Sequence, residues 1–299
     1  MENSSARIWY MDDSMTLHET VLNKGIIKFS LETGKEYVVN DVEKDDIFYD
    51  VTGVTKSAVS IPVTLENKKI AVSIERTTKN AFKKSDIDFM KIFSGLIALS
   101  IMKADLYLQL KKSYLQTVEA LAYAIEIKDP YTRGHSRRVA DYAIKIGEKL
   151  GLSKEKLEDL ELAALLHDIG KIGVRGAVLN KPSSLNPSEF EEVKKHPILG
   201  EELVSKVERL RHIAKIIRHH HERYNGQGYP DGLKGEEIPL ESRIIAIVDA
   251  YDAMTSDRPY RKALPKEKAL EIIRENKDLQ WDPNLIPIAI EVLKEIDKG

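Results

Sequence analysis

The sequence between positions 160 and 168 reads Leu160-Glu161-Leu162-Ala163-Ala164-Leu165-Leu166-His167-Asp168. The run up to Leu166 is almost entirely apolar, which indicates a buried helix. It ends on two side chains that are costly to bury without a partner, because each loses its hydrogen bonds to water. A fold that buries this segment must therefore provide partners for His167 and Asp168.

The same conflict recurs along the C-terminal half, where polar side chains follow apolar positions at helical spacing. The cases are His135 ahead of Val139, Ala143 and Ile146; His220-His221 after Ile213, Ile216 and Ile217; and Asp249 after residues 244–248. A single histidine on an apolar face is usually a hydrogen-bonded core residue, and a single aspartate is often a helix cap. As a set they favour a divalent cation, which accepts neutral imidazole and carboxylate and satisfies several buried groups together.

The number of candidate ligands exceeds what one ion needs. They are His135, His167, Asp168, His196, His220, His221 and Asp249. Two ions bridged by one carboxylate need about this number and leave positions for water and substrate. Asp168 is the predicted bridge, because it adjoins His167 in the most buried segment. His18, His212 and His219 lie off the converging faces or far away in sequence and are left out.

Composition limits the other possibilities. The chain has 299 residues, enough for roughly two domains. A net charge of −2 gives no whole-chain attraction for a nucleic-acid polymer, and the absence of cysteine excludes disulfides, iron–sulfur clusters and thiolate metal sites. The longest apolar run is too short to span a bilayer, and the N-terminus lacks a signal-peptide core. We therefore expect a cytoplasmic protein without a membrane partner.

The N-terminal part has the pattern of a mixed α/β domain. Strands are predicted at Tyr37–Val39, Ser57–Val63 and Ile70–Ile74, the last two joined by a turn at Asn67-Lys68-Lys69. A long helix is predicted from Ser85 to about Lys128. We place a first domain at residues 1–84, a linker helix at 85–116 and a catalytic domain at 117–299.

The linker helix carries a heptad repeat of mostly apolar residues. Counted from Ile87, the positions are Ile87, Met90, Ser94, Ile97, Ile101, Ala104, Leu108, Lys111, Leu115 and Val118. Such a seam is typical of a two-stranded parallel coiled coil, so a homodimer through this helix is predicted. The alternative is a single helix that packs on the chain's own two domains.

Several motifs of the C-terminal half together resemble the HD-GYP family. They are His135-Ser136-Arg137-Arg138-Val139, His167-Asp168-Ile169-Gly170-Lys171, His196-Pro197, residues 220–230 from His220-His221-Glu222 to Gly228-Tyr229-Pro230, and residues 249–261 from Asp249 to Arg258-Pro259-Tyr260-Arg261. The match covers roughly residues 115–299, in order and without a gap. Asn225 departs from the motif, where the family usually has Asp.

The resemblance implies an all-α, HD-type helical domain with a centre of two, sometimes three, metal ions. The implied activity is hydrolysis of cyclic di-GMP to pGpG, GMP or both, with iron or manganese as the metal. Members with three ions recruit a carboxylate near the first histidine; Tyr131 stands one turn before His135, and Glu126 and Asp129 are the nearest acids. Two ions are therefore favoured, with a third possible.

The N-terminal part resembles a GAF domain, which implies an α+β sensor that regulates a signalling phosphodiesterase. The resemblance rests on Leu31-Glu32-Thr33-Gly34-Lys35, Val39-Asn40-Asp41-Val42, residues 56–63 from Lys56 to Val63, and Asn80-Ala81-Phe82. The first elements of such a domain look short or degenerate here.

The expected mechanism uses a hydroxide that bridges the two ions and attacks phosphorus in line. Lys171 is expected to bind the scissile phosphate or steady the leaving oxygen, although spacing alone equally allows a solvated lysine at a helix end. Arg258 and Arg261 suit phosphate oxygens, and Tyr229 is placed to contact a guanine. Glu222 is expected to support the neighbouring histidine ligands.

Two rival functions belong to other classes. One is a different HD-type hydrolase that acts on a nucleotide monophosphate, a deoxynucleoside triphosphate or an alarmone; His196, His220 and His221 argue against it. The other is a catalytically silent receptor for cyclic di-GMP. The presence of every predicted metal ligand argues against it.

Overall fold

The computed structural model describes residues 6–11, 17–22, 24–49, 53–65, 69–129, 133–257 and 262–296, with backbone alone for the first two segments. The chain divides into two compact units, Met1–Lys111 and Lys112–Gly299. The division falls inside the long helix between them, within the predicted linker. Each unit has its own core, as the length of the chain led us to expect.

The first unit contains two antiparallel sheets. Its elements are β1 (Ala6–Met11), β2 (Leu17–Leu22), α1 (Ile26–Thr33), β3 (Tyr37–Val39), a 3-10 helix (Val42–Lys44), β4 (Ser57–Thr64) and β5 (Lys69–Arg76). β1 pairs with β2, and the other strands form a sheet in the order β3-β4-β5. The three predicted strands are confirmed, and Thr64 pairs with Lys69 as the predicted hairpin requires. Asn67 and Lys68 lie outside the described residues, and β1 and β2 were not predicted.

Alternation along β4 separates the two faces of the larger sheet. Ala58 packs with Ile26 of α1, whereas Val59 and Ile61 pack with Met90 of the following helix. Successive side chains of a strand point to opposite faces, so the sheet is covered by a helix on each side. The predicted α+β character is therefore confirmed, whereas the kinship to GAF domains stays a prediction.

The predicted long helix is α2, which runs for 45 residues from Lys84 to Lys128. The register of its predicted seam is wrong at both ends. Met90 belongs to the core of the first unit, Ser94 is fully buried, and Val118 belongs to the core of the second unit. These positions pack into the chain's own cores, whereas Ile101, Ala104 and Leu108 in the middle of the predicted seam are exposed.

A different stripe of α2 is exposed. It consists of Phe89, Ile92, Leu96, Leu99, Leu106 and Leu110, each with 56–67% of its surface accessible. Its spacing alternates between three and four residues, with Lys103 at the one polar position between Leu99 and Leu106. This exposed stripe therefore has heptad spacing, at positions other than those counted from Ile87.

The second unit is built from helices around one core. They are α3 (His135–Lys149), α4 (Lys154–Leu166), α5 (Gly176–Leu179), α6 (Pro187–Val193), α7 (His196–Ser205), α8 (Ala214–Arg218), α9 (Leu240–Thr255), α10 (Lys266–Glu275) and α11 (Ile286–Ile296), with 3-10 helices at Ile169–Gly173, Glu208–Ile213 and Gly235–Glu237. The predicted all-α fold is confirmed for the described part. None of the described helices has both the length and the apolar character to cross a bilayer.

The predicted core positions are buried where the helical spacing placed them. Val139, Ala143 and Ile146 on α3 are fully buried. So are Ile213, which ends the 3-10 helix before α8, and Ile217 on α8. The same faces that carry these apolar residues also carry the candidate metal ligands. The hydrophobic core therefore ends on the polar cluster that the sequence predicted.

Close backbone packing brings the segment after Asp168 against the start of α7. Gly170 lies so near that a Cβ atom there would overlap the carbonyl oxygen of His196. Gly200, one turn along α7, has Ile217 against it in the same way, since a Cβ would lie 2.9 Å from the Ile217 Cγ2 atom. Two ligand-bearing segments can approach at this point because glycine has no side chain.

We expect Gly170→Ala to lower the free energy of unfolding by at least ~1–3 kcal/mol, because the added methyl meets backbone atoms that cannot rotate away. Gly176→Ala is the matched control, since a Cβ there would meet nothing within 4 Å. Urea denaturation followed by circular dichroism compares the two variants. Equal midpoints for both would contradict the packing argument.

Candidate metal centre

Every predicted ligand is brought into one cluster. His135 is the first residue of α3, His167 and Asp168 follow α4, His196 is the first residue of α7, His220 and His221 follow α8, and Asp249 lies in α9. The ligand atoms form three groups, each with its atoms within 4.8 Å of one another: His135, His167 and Asp249; His167, Asp168 and His220; and His196, His220 and His221. The middle group shares a histidine with each outer group, so the described cluster is continuous.

Four of the imidazole rings are held through their Nδ1 atoms. His167 Nδ1 lies 2.7 Å from the Ala164 carbonyl oxygen, His196 Nδ1 2.7 Å from that of Val193, His220 Nδ1 2.6 Å from that of Ile217, and His135 Nδ1 2.7 Å from Asp252 Oδ2. A carbonyl or carboxylate oxygen only accepts, so each Nδ1 carries the hydrogen and donates it. The Nε2 atom of each neutral ring is then a bare lone pair, which is the form that binds a metal ion.

These lone pairs face one another in two pairs. His135 Nε2 lies 3.3 Å from His167 Nε2, and His196 Nε2 lies 3.3 Å from His220 Nε2. When both rings of a pair are neutral, two lone pairs at this distance repel, and burial leaves little water to separate them. A proton on one Nε2 atom, or a cation shared by the pair, removes the repulsion. The donor set of buried imidazole and carboxylate therefore fits divalent metal ions.

Asp168 lies between the two outer groups. Its Oδ1 atom is 3.4 Å from His196 Nε2, whereas its Oδ2 atom is 3.5 Å from His167 Nε2 and 2.7 Å from Lys171 Nζ. Burial raises the pKa of this carboxyl, but the charges of Lys171 and the histidines outweigh burial and hold the pKa well below its usual range. Asp168 is therefore a carboxylate with one oxygen toward each outer group.

The histidine pKa values differ between the two sides of the cluster. Burial lowers the pKa of His135, but hydrogen bonds to Asp249 and Asp252 outweigh burial and raise it to about 9. Burial lowers the pKa of His196 to about 3 and that of His221 to about 4. The carboxylates beside His135 thus favour a positive charge there, from a proton or a metal ion. His196 and His221 stay neutral, which is the protonation state that metal binding requires.

The sequence reasoning missed the partners that orient His135. The Asp252 carboxylate accepts from His135 Nδ1, and Arg138 donates to the same carboxylate through Nε at 2.5 Å and Nη2 at 2.9 Å. Asp252 is buried, three residues after Asp249 on α9. That spacing puts the two carboxylates on one helix face, a signal that the sequence already contained.

Lys171 lies beside the cluster. α4 ends at Leu166 and the chain continues as the 3-10 helix Ile169–Gly173, which carries Lys171. The Lys171 ammonium donates to Asp129 Oδ2 at 3.3 Å as well as to Asp168. Burial lowers the pKa of Lys171, but these two carboxylates outweigh burial and raise it. Lys171 is therefore a charged group at the edge of the centre.

The loop that contains Tyr229 closes over the other side. The Tyr229 ring centroid is 4.9 Å from that of His221. Glu222 is buried, and its Oε1 atom accepts from the backbone N–H groups of Asp231 at 2.7 Å and Gly232 at 3.0 Å. These two hydrogen bonds hold the loop in place. The support of the histidine ligands by Glu222 stays a prediction. Arg258 and Arg261 lie outside the described residues.

We expect Asp252→Asn to weaken metal binding roughly 10- to 100-fold, because the variant keeps the shape but removes the charge that orients His135 and makes it basic. Calorimetric titration of the metal-stripped protein with Mn²⁺ measures the effect. Asp159→Asn is the matched control, since Asp159 also binds a histidine, the exposed His212, at 2.8 Å. Unchanged affinity in Asp252→Asn would show that Asp252 does not support the centre.

Comparisons with known proteins identify the second unit. A model of the HD domain family matches residues 119–285, more than half of the chain. The chain is 40% identical over 201 residues to 3'3'-cGAMP-specific phosphodiesterase 3 of Vibrio cholerae serotype O1, covering 64% of this chain and 44% of that protein. It is 32% identical over 260 residues to the cyclic di-GMP phosphodiesterase of Thermotoga maritima, covering 83% of this chain and 70% of that protein.

The crystal structure of a cyclic GMP-AMP phosphodiesterase from V. cholerae (V-cGAP3) has a TM-score of 0.49 and 22% sequence identity to this chain, covering 60% of this chain and 48% of the other. The chain spans less than half of the V. cholerae relative that it matches by sequence and about two thirds of the Thermotoga relative. On the family match and the Thermotoga relative, the chain belongs to the HD domain family.

Proposed function

We propose that the chain is a metal-dependent phosphodiesterase that hydrolyses cyclic di-GMP to pGpG, GMP or both. The observation that carries the proposal is the position of the Asp168 carboxylate, with one oxygen toward each of two groups of buried histidines. Two-metal sites are a recurrent solution for phosphoester hydrolysis. The relatives are named as cyclic di-GMP and cGAMP phosphodiesterases, which supports the substrate class.

The proposed cofactor is a pair of divalent ions, iron or manganese, held by His135, His167, Asp249 and Asp168 on one side and by His196, His220, His221 and Asp168 on the other. Bound ions of this kind lower the pKa of water and neutralise charge on phosphoryl oxygens. Two ions are favoured over three because both of the nearest acids are engaged: Glu126 accepts two backbone N–H groups, and Asp129 accepts from Lys171.

Lys171 is proposed to contact the scissile phosphate. Its ammonium has three donors, and its contacts to Asp129 and Asp168 engage two of them among the described residues. The third can donate to a phosphate oxygen or to the leaving oxygen. Because the raised pKa keeps Lys171 charged across the neutral range, this contact does not depend on a proton equilibrium near pH 7.

The remaining substrate contacts are proposed from the sequence together with one distance. Tyr229 offers an aromatic face beside His221, within reach of a base that is attached to a phosphate at the centre. Arg258 and Arg261 are proposed to bind phosphate oxygens as charge-assisted donors. Their proposed role rests on the motif, since both lie outside the described residues.

We expect the purified, Mn²⁺-loaded chain to hydrolyse cyclic di-GMP and Asp168→Ala to lose this activity, because the substitution removes the carboxylate shared by the two histidine groups. Chromatography of the products, with cGAMP and a deoxynucleoside triphosphate as parallel substrates, checks both statements. Faster turnover of cGAMP would reassign the substrate, and turnover of the triphosphate alone would favour the other HD-type hydrolases. Binding of cyclic di-GMP without turnover would indicate the silent receptor.

We also propose that the first unit is a GAF-like sensor and that the chain is a homodimer through α2. The exposed stripe from Phe89 to Leu110 supports the dimer, because two copies can bury it as the a and d positions of a coiled coil. A lone helix that leaves six large apolar side chains in water gains nothing from them. Lys103 within the stripe would fix the register at a cost in stability.

We expect Leu99→Lys to shift the protein to monomers, because it adds two charges to an apolar layer one turn from the two Lys103 side chains of the dimer. Ala104→Lys is the control, since Ala104 is exposed on α2 away from the stripe. Analytical ultracentrifugation at micromolar concentration compares both with the parent chain. A monomeric parent chain would refute the coiled coil.

A further inference from the structure

The helix that carries the first metal ligand begins without a cap of its own. α3 starts at His135, and its N-cap residue, Gly134, has a φ of 71° and no side chain. The first N–H groups of a helix need acceptors from elsewhere, and a free N-terminus buried without them is unstable. His135 and Ser136 are both buried, so the acceptors at this end must come from the protein.

Glu126 supplies them from the last turn of α2. Its Oε2 atom accepts from the Gly134 N–H at 2.7 Å, and its Oε1 atom accepts from the Ser136 N–H at 3.0 Å. Glu126 is 6% exposed, so water competes little for either bond. A carboxylate at this position also interacts favourably with the helix dipole, and bonds to an ionised acceptor are stronger than neutral ones.

The same turn of α2 holds the second ligand-bearing segment. Lys128 Nζ donates to the carbonyl oxygens of Lys171 at 3.2 Å, Ile172 at 2.7 Å and Val174 at 2.6 Å. These carbonyls end the 3-10 helix that follows His167 and Asp168. The end of α2 thus contacts, through two charged side chains, the segments that present His135 and Asp168.

The outer group on the other side has no such contact among the described residues. His196 begins α7, and His220 and His221 follow α8. Their rings are held by Val193 and Ile217 or packed against each other. A change at Glu126 should therefore act on the half of the centre that contains His135 and spare the other.

We infer that Glu126 is a positioning residue for the metal ion held by His135, His167 and Asp249. Its carboxylate sets where α3 begins and so fixes the position of the His135 ring against His167. The inference rests on the metal centre of the proposed function but not on the identity of the substrate. It also gives α2 a direct means of acting on the centre, since any shift of its last turn moves the acceptor of the Gly134 and Ser136 N–H groups.

The test is a calorimetric titration of the metal-stripped full chain with Mn²⁺ alone. Two binding steps are expected for the parent chain, one of which His135→Ala removes. Glu126→Gln replaces one acceptor oxygen by an amide donor that faces a backbone donor, so the step that depends on His135 should weaken roughly 10-fold or more. The affinity of the other binding step should change by no more than about twofold, which is small beside that loss.

Glu119→Gln is the matched control. Glu119 also lies on α2 and also binds α3, but it does so through the exposed side chain of Arg137 at 2.9 Å and not through the backbone. It should leave both binding steps unchanged. Glu126→Asp keeps the charge and gives a milder form of the same result, which serves if Glu126→Gln does not fold.

Equal weakening of both steps, or no change in either, would overturn the inference. Equal weakening means that Glu126 supports the fold in general, and no change means that the α3 N-terminus is held without it. Absence of cyclic di-GMP hydrolysis would refute the proposed substrate and leave this titration intact, so the two failures are distinguishable.

Discussion

The close approach of buried imidazole Nε2 atoms is the constraint on which the rest of the second unit depends. Two pairs of Nε2 atoms lie 3.3 Å apart, and backbone carbonyls or a carboxylate fix the hydrogen on the opposite side of each ring. Flipping a ring would give up a buried hydrogen bond, so the repulsion between two neutral rings is removed by a positive charge between them. Burial lowers the pKa of His196, which disfavours a proton there and leaves a metal ion as the cation for that pair.

The sequence predicted the ligand set because each ligand breaks an apolar helical pattern. All seven candidates converge, and the strands of the three-stranded sheet and the long helix lie where their patterns placed them. Periodicity could place Asp252 on the same face of α9 as Asp249, but it could not pair side chains that lie on different helices. Asp252 on α9 accepts from both His135 and Arg138, and Glu126 at the end of α2 caps α3. Such contacts depend on tertiary packing, which a local pattern does not contain.

The register of the α2 seam failed for a related reason. A heptad count finds an apolar face but does not decide whether a second copy or the chain's own core covers it. Met90 and Val118 are covered by the two cores, and the exposed apolar side chains between them include the stripe around Leu99 as well as Ile101 and Leu108 of the predicted seam. Part of α2 therefore packs into the cores while another part is exposed. The end of α2 contacts both segments that carry the first ligands.

A crystal structure of the Mn²⁺-loaded chain, with anomalous diffraction recorded for manganese, would show whether the Asp168 carboxylate joins two metal ions. We expect two anomalous peaks roughly 3.5–4 Å apart, each with one Asp168 oxygen among its ligands. A single peak, or two peaks of which only one is bound by Asp168, would be incompatible with a bridging carboxylate.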